Sequence, residues 1–168
     1  FGLSVRQIAD LALCNLPLQG DKNIETNILD RYRLVAREYI TVIVSGMQAD
    51  GYYCRDRGLY LKRFVEILEM IAKEHCPDER KIVLLAHTFP PYGDEPGYIA
   101  DLWKLLPCGL KSKIVVVKEK ILPTRARFIL GNSLYVLTGR MHPAVSALQM
   151  GTPAICLSYS VKYKGVIG

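Results

Sequence analysis

From residue 39 onward, short apolar runs alternate with segments of helical apolar spacing. YITVIVSG (39–46) is β-branched and closes on small residues, as expected of a strand buried on both faces. In GLYLKRFVEILEMIAKEH (58–75), Leu61, Phe64, Val65, Leu68 and Ile71 share one helical face. CPDER then turns the chain. KIVLLAHT (81–88) predicts a second strand, FPPYGDEPG (89–97) a loop rich in Pro and Gly, and YIADLWKLL (98–106) a short helix. KIVVVKE (113–119) predicts a third strand. LPTRARFILGN (122–132) begins with a Pro suited to a helix N-terminus and ends with a Gly suited to its C-cap. SLYVLTG (133–139) predicts a fourth strand, HPAVSALQMG (142–151) a helix with Pro143 in its first turn, and TPAICLSYS (152–160) a fifth strand.

The first 38 residues are less regular. Residues 3–14 have helical apolar spacing at Val5, Ile8, Leu11 and Ala12. NLPLQGDKN reads as a loop, because Pro17 and Gly20 break regular structure, and NILDRYRLVAREY (27–39) as a helix. Residues 1–35 are therefore expected to be a connector or the edge of an N-terminal domain outside this chain, and 36–168 the domain proper.

Alternating strands and helices imply parallel βαβ units, and hence an α/β, Rossmann-like, doubly wound, mainly parallel sheet. Ligands of such sheets bind beyond the C-terminal ends of the strands. That rule places Ser45–Gly46, His87–Thr88, Gly139–His142 and Tyr159–Lys162 along one rim.

Composition narrows the function. Half of the 168 residues are hydrophobic and 23% are charged, a globular balance. No apolar run approaches the roughly 18 residues a membrane span needs. The chain starts at Phe1 and stops at VIG, so it reads as a piece of a longer protein. Its five cysteines are odd in number, widely spaced and without CxxC, which argues for a reducing, cytoplasmic setting and against a disulfide framework or zinc site. The three histidines are scattered, and no metal site is expected.

Net charge is +6 and is unevenly placed. Residues 1–119 hold 16 acidic and 16 basic residues; residues 120–168 hold Lys120, Arg125, Arg127, Arg140, Lys162 and Lys164 with no Asp or Glu. A one-sign region suggests an anionic ligand, or else a solvated basic face. No nucleic-acid motif accompanies it, so nucleic acid is not an expected partner.

Within that region lies TGRMHPAV (138–145), between two apolar segments. Gly139 lets the backbone turn after the strand, and the helix begins near His142 and Pro143, where free N–H groups and the helix dipole favour an anion. Arg140 adds a planar fork for carboxylate or phosphate. His142 can donate a hydrogen bond or a proton. The structural alternative is an Arg140 paired with a carboxylate and a His142 that caps its helix, but no acidic residue lies near in sequence. His87 is placed to line the same rim or to be an ordinary loop histidine. Asp94 and Glu95 are read as ordinary loop acids rather than a base. Tyr159 is a candidate wall of the site or a packing residue, and Tyr52–Tyr53 would touch a sugar or cover a loop.

GRMHPAVSALQMGTPAICLSYSVKYKG resembles the C-terminal signature of the polysaccharide pyruvyl transferases. The pattern of that family runs Arg-x-His, a small-residue helix, Gly-x-Pro, a strand, then Tyr and Lys three residues apart. Arg140, His142, Gly151, Pro153, Tyr159 and Lys162 fill those places. LLAHTFPPYGDEPG resembles the family's strand-histidine-loop-aspartate stretch, through His87 and Asp94. The resemblance covers about 39–168 and is strong from 139 to 165. Pro143 stands where the family often has a small residue, and Ser160 where it often has an aspartate, so the orientation of Lys162 is left open.

The resemblance implies one half of a GT-B-type, two-domain transferase that moves a pyruvyl ketal from phosphoenolpyruvate to two sugar hydroxyls of a cell-surface polysaccharide or its lipid-linked precursor. No cofactor is implied. His142 and Arg140 would be catalytic; Arg140, Lys162, His87, Tyr159 and Gly139 would form the substrate site. The acceptor site would lie partly in the N-terminal domain, and the setting would be cytoplasmic, at the inner face of a membrane. Two other readings stand beside it: a GT-B glycosyltransferase using a nucleotide-sugar, which usually wants a ribose-binding carboxylate that 120–168 lack, and a non-catalytic anion-binding module, favoured if Arg140 and His142 are buried and paired internally.

Overall fold

The structure, a computed structural model, describes residues 11–49, 54, 56–77 and 79–167. Tyr52, Tyr53, Val5 and Ile8 lie outside them. Five parallel strands form the sheet: β1 (Tyr39–Ile43), β2 (Lys81–Leu85), β3 (Ile114–Val117), β4 (Val136–Thr138) and β5 (Ala154–Cys156), in the order β3-β2-β1-β4-β5. The Rossmann-like α/β fold expected from the sequence is the one observed. The ladders are shorter than the apolar runs, because Val44–Ser45 and Ala86–Thr88 continue past the paired residues into the loops that leave the sheet.

Alternate residues sort onto the two faces. On one, Ile40, Val42, Ile82, Leu84 and Leu137 pack with Tyr60, Leu61, Phe64, Leu68 and Ile71 of α3 (Arg57–Glu74) and Tyr98, Ile99 and Leu102 of α4 (Glu95–Leu105). On the other, Tyr39, Ile43, Val83, Leu85, Val117 and Val136 pack with Ile28 and Leu29 of α1 (Lys22–Arg31), Ile129 and Leu130 of α6 (Pro123–Gly131) and Ala147 of α7 (Met141–Gln149). Short helices α2 (Gly46–Ala49), α5 (Cys108–Lys111) and α8 (Lys162–Val166) complete the fold. None of the five cysteines is in a disulfide.

Three helices start on an aspartate whose carboxylate accepts a backbone N–H: Asp21 from Asn23, Asp56 from Leu59, and Asp94 from Gly97, at 2.9–3.0 Å. These caps correct two boundaries. Helix α1 begins five residues before Asn27 and ends at Arg31, where Arg33 takes a positive φ of 53°. Helix α4 begins at Glu95, with Pro96 in its first turn, so the expected loop 89–97 is shorter by three residues. Asp94 is a helix cap.

Residues 11–35 are packed on the sheet domain. Leu11–Leu13 form a 3₁₀ turn in contact with α7, and α1 lies on α6. Arg127, 3% exposed, binds this segment: Nη1 donates to the Cys14 carbonyl at 2.7 Å and to Gln19 Oε1 at 3.1 Å, and Nη2 to the Ala12 carbonyl at 2.8 Å. Thr124 Oγ1 donates to the Pro17 carbonyl at 2.6 Å, and Gln149 Nε2 to Asn15 Oδ1 at 2.9 Å. Arg127→Ala removes a buried guanidinium and its bonds to two main-chain carbonyls of this segment, and is expected to lower unfolding free energy by about 2–4 kcal/mol. Urea unfolding measures the loss, and proteolysis should become faster between residues 11 and 20.

Candidate active site

Strand order reverses at β1. From β1 the chain moves outward to β2 and β3, and it then returns to β4 on β1's other side. The crevice of such a sheet lies at the C-terminal ends of the two strands flanking that switch. There, a pocket of about 270 Å³ is lined by Met47 after β1, His87 and Thr88 after β2, Arg140 to Pro143 at the start of α7, and Tyr159, Ser160, Lys162 and Tyr163 after β5. A larger hollow, about 380 Å³, lies at the opposite end of the sheet among Arg33, Glu38, Glu79, Arg80 and Lys81. Its charges are mixed and Arg80 is bonded to Glu38 at 3.3 Å, so it offers no convergent set.

The pocket brings together Arg140, His142, Lys162, His87 and Tyr159. Gly139 lies behind it: a Cβ there would come within 2.2 Å of Gln48 Oε1 and 2.9 Å of Ser45 Cβ, so the β1 and β4 exits approach this closely only around a glycine. Tyr163 holds the same turn, its buried hydroxyl donating to the Gly139 carbonyl at 2.9 Å. Arg140 occupies the N-cap position of α7, and its backbone N–H donates to Thr138 Oγ1 at 2.9 Å. No side chain caps this helix, which leaves the first-turn N–H groups of Met141 and His142 at the pocket. His142 is exposed, as is Lys162, whose ammonium makes no ion pair among the described residues.

Arg140 is paired. Its side chain is 14% exposed and its Nε donates to Glu95 Oε1 at 2.7 Å. Glu95 is fully buried, and its Oε2 also accepts the N–H groups of His87 at 2.7 Å and Thr88 at 2.9 Å. This corrects the reading of Glu95 as an ordinary loop acid. It also meets the pairing half of the condition set for a non-catalytic module: Arg140 is paired and only partly exposed, and His142 is exposed and does not cap its helix with its side chain. The pair takes one edge of the guanidinium. Nη1 has a weak contact with Met47 Sδ at 3.4 Å, and the same sulfur meets Tyr159 Oη at 3.3 Å.

Desolvation pushes the half-buried imidazole of His87 down to about 4, with the positive fields of His142 and Arg140 acting in the same direction. His87 is therefore neutral near pH 7. Burial pushes the Tyr163 hydroxyl up, so it serves as a donor and not an anion. Met47, Thr88, Tyr163 and Glu95 were not singled out as site residues in the sequence. Tyr163 carried a signal, as the residue four after Tyr159; Met47 and Thr88 carried none beyond their places after strands. Among the described residues no three His, Cys, Asp or Glu side chains gather as a metal-binding group, and no helix is long and apolar enough to cross a membrane.

Comparison with solved structures supports the fold. UDP-N-acetylglucosamine 2-epimerase from Rickettsia bellii superposes with a TM-score of 0.55 at 19% identity, over 80% of this chain and 31% of the other. UDP-GlcNAc 2-epimerase from Methanocaldococcus jannaschii gives 0.59 at 15% identity, over 89% and 38%; its complex with UDP-GlcNAc and UDP gives 0.58 at 17%, over 83% and 34%. The chain thus spans about a third of the length of these structures. No curated protein matches. The model of the polysaccharide pyruvyl transferase family matches residues 1–161, including the upstream segment that the motif resemblance left out. By that match over nearly its whole length, the chain belongs to the polysaccharide pyruvyl transferase family.

Proposed function

We propose that the protein transfers a pyruvyl ketal from phosphoenolpyruvate to two hydroxyls of a sugar, in a cell-surface polysaccharide or its lipid-linked precursor, and that this chain binds the donor. The observation that supports it is the convergence of Arg140, His142 and Lys162 on one pocket over the uncapped first turn of α7. The donor carries a phosphate and a carboxylate on three carbons, and two cations with free helix N–H groups suit both. The terminal nitrogens of Arg140 take one anionic group; the ammonium of Lys162 takes the other.

The reaction needs a proton on the methylene carbon before a hydroxyl attacks C2, which gains oxocarbenium character. A second hydroxyl then displaces inorganic phosphate and closes the ketal. Of the two hydroxyl protons, one ends on the new methyl group and the other on phosphate. His142, exposed at the mouth of the pocket, is placed to pass these protons. His87 is neutral and offers a hydrogen bond without adding charge. The acceptor would reach the pocket from the part of the protein outside this chain. A cytoplasmic setting, at the inner face of a membrane, suits the donor and the free thiols.

A non-catalytic anion module is the second reading, favoured by the pairing of Arg140 with Glu95. Calorimetry on the full-length protein separates the two, with UDP-GlcNAc as a control chosen because solved structures of similar fold bind it. Phosphoenolpyruvate is expected to bind and UDP-GlcNAc not to. Arg140→Ala and Lys162→Ala should each weaken phosphoenolpyruvate at least tenfold. No binding of phosphoenolpyruvate would sink the proposal, and preference for UDP-GlcNAc would redirect it to a nucleotide-sugar enzyme.

His142→Ala should lower kcat by about 10²–10⁴-fold while changing donor affinity much less than Arg140→Ala does. A loss confined to KM would remove His142 from the proton path. The neutrality of His87 also has a consequence for stability. The unfolded chain takes up a proton near pH 6.5, whereas the folded chain resists it until about pH 4. Stability contributed by the neutral ring is present above pH 6.5 and is lost as pH falls toward 4, by roughly 3 kcal/mol at most. Denaturant unfolding between pH 7 and 4 should show a flatter dependence in His87→Gln than in the natural protein.

A further inference from the structure

We propose that Glu95 is a positioning residue of this pocket and acts through Arg140; this rests on the reading that Arg140 meets the anionic donor. A buried ion pair adds little net stability over a well-packed apolar replacement. The informative part is which atoms it uses. Both carboxylate oxygens are out of water, one holding Arg140 Nε–H at 2.7 Å and the other holding the His87 and Thr88 N–H groups at 2.7 and 2.9 Å. The carboxylate therefore joins the exit of β2 to the exit of β4 at one point. Gripped at Nε, the guanidinium cannot rotate away, and its terminal nitrogens are left for the pocket.

Gly93 completes the arrangement. A Cβ at that position would stand 3.1 Å from Arg140 Nη2 and 3.0 Å from Thr88 Cγ2, so a side chain there would press on the fork. An unrestrained arginine must lose side-chain freedom on meeting a ligand, and a pre-oriented one has already lost it. Glu95 supplies that orientation although it does not line the pocket itself.

Glu95→Gln keeps the size but has one acceptor oxygen where the carboxylate has two. That oxygen can serve the His87 and Thr88 N–H groups or Arg140 Nε–H, and the amide nitrogen then faces a donor. The test combines the ¹⁵Nε–H signal of Arg140 with phosphoenolpyruvate titration of the full-length protein. In the natural protein the Arg140 Nε–H should exchange slowly with solvent, and in Glu95→Gln it should lose that protection. Phosphoenolpyruvate affinity should fall tenfold or more in Glu95→Gln. In an Arg140→Ala background the same substitution should change affinity less than twofold, because nothing remains to be oriented. An equal loss in both backgrounds, or full affinity with the Nε–H unprotected, would overturn the proposal.

Where Glu95→Gln does not fold, Gly93→Ala decides. It leaves the carboxylate bonds in place and crowds Nη2, so affinity should fall at least threefold with the Nε–H still protected; unchanged affinity overturns the proposal. A natural protein that binds no phosphoenolpyruvate overturns the donor reading and not the positioning. The Nε–H signal then decides the positioning by itself, and an unprotected Nε–H in the natural protein overturns that as well.

Discussion

A parallel sheet has to be covered on both faces, and that constraint orders the rest of the molecule. It makes the inner strands β1 and β2 apolar runs, with alternate side chains sent to opposite cores. It demands helices on both sides, and the chain provides them by moving outward from β1 in one direction and then in the other. The reversal parts the loops above β1 and β4. A crevice at that point is a consequence of covering the sheet. Its chemistry is the residues that happen to leave the strands there: Met47, His87, Arg140 and Tyr159.

What could be read from the sequence follows this division. Strands and amphipathic helices were legible because burial writes a period into them. Their limits were less so. Val44 and Ala86 are as buried as the strand residues before them yet lie past the ladder, so composition alone runs the strand too far. The starts of α1 and α4 depend on single aspartates, and Asp21 and Asp94 look like any loop acid until their carboxylates are seen to accept N–H groups.

The candidate pocket was legible where residue type and position coincide, as in Arg140 and His142 at a strand-to-helix junction. It was not legible where it depends on contacts between distant residues. Glu95 meets Arg140 across 45 positions of sequence, and no local pattern announces the meeting. The basic excess of residues 120–168 was also a blunter signal than it looked. Arg127 spends its charge on main-chain carbonyls of the upstream segment, and Arg140 is partly neutralised by Glu95. The positive potential at the pocket therefore comes from fewer groups than the count suggests.

The segment docked by Arg127 has a mechanical meaning. Asn15 and Gln19 bond to Gln149 at the C-terminal end of α7, and Arg140 and His142 stand at its other end. Nine helical residues span about 13 Å and behave as a stiff rod. One end of the rod is tethered to the upstream chain and the other carries groups that line the pocket. A tilt imposed at the tether would therefore be felt at the pocket, although residues 15–19 do not line it.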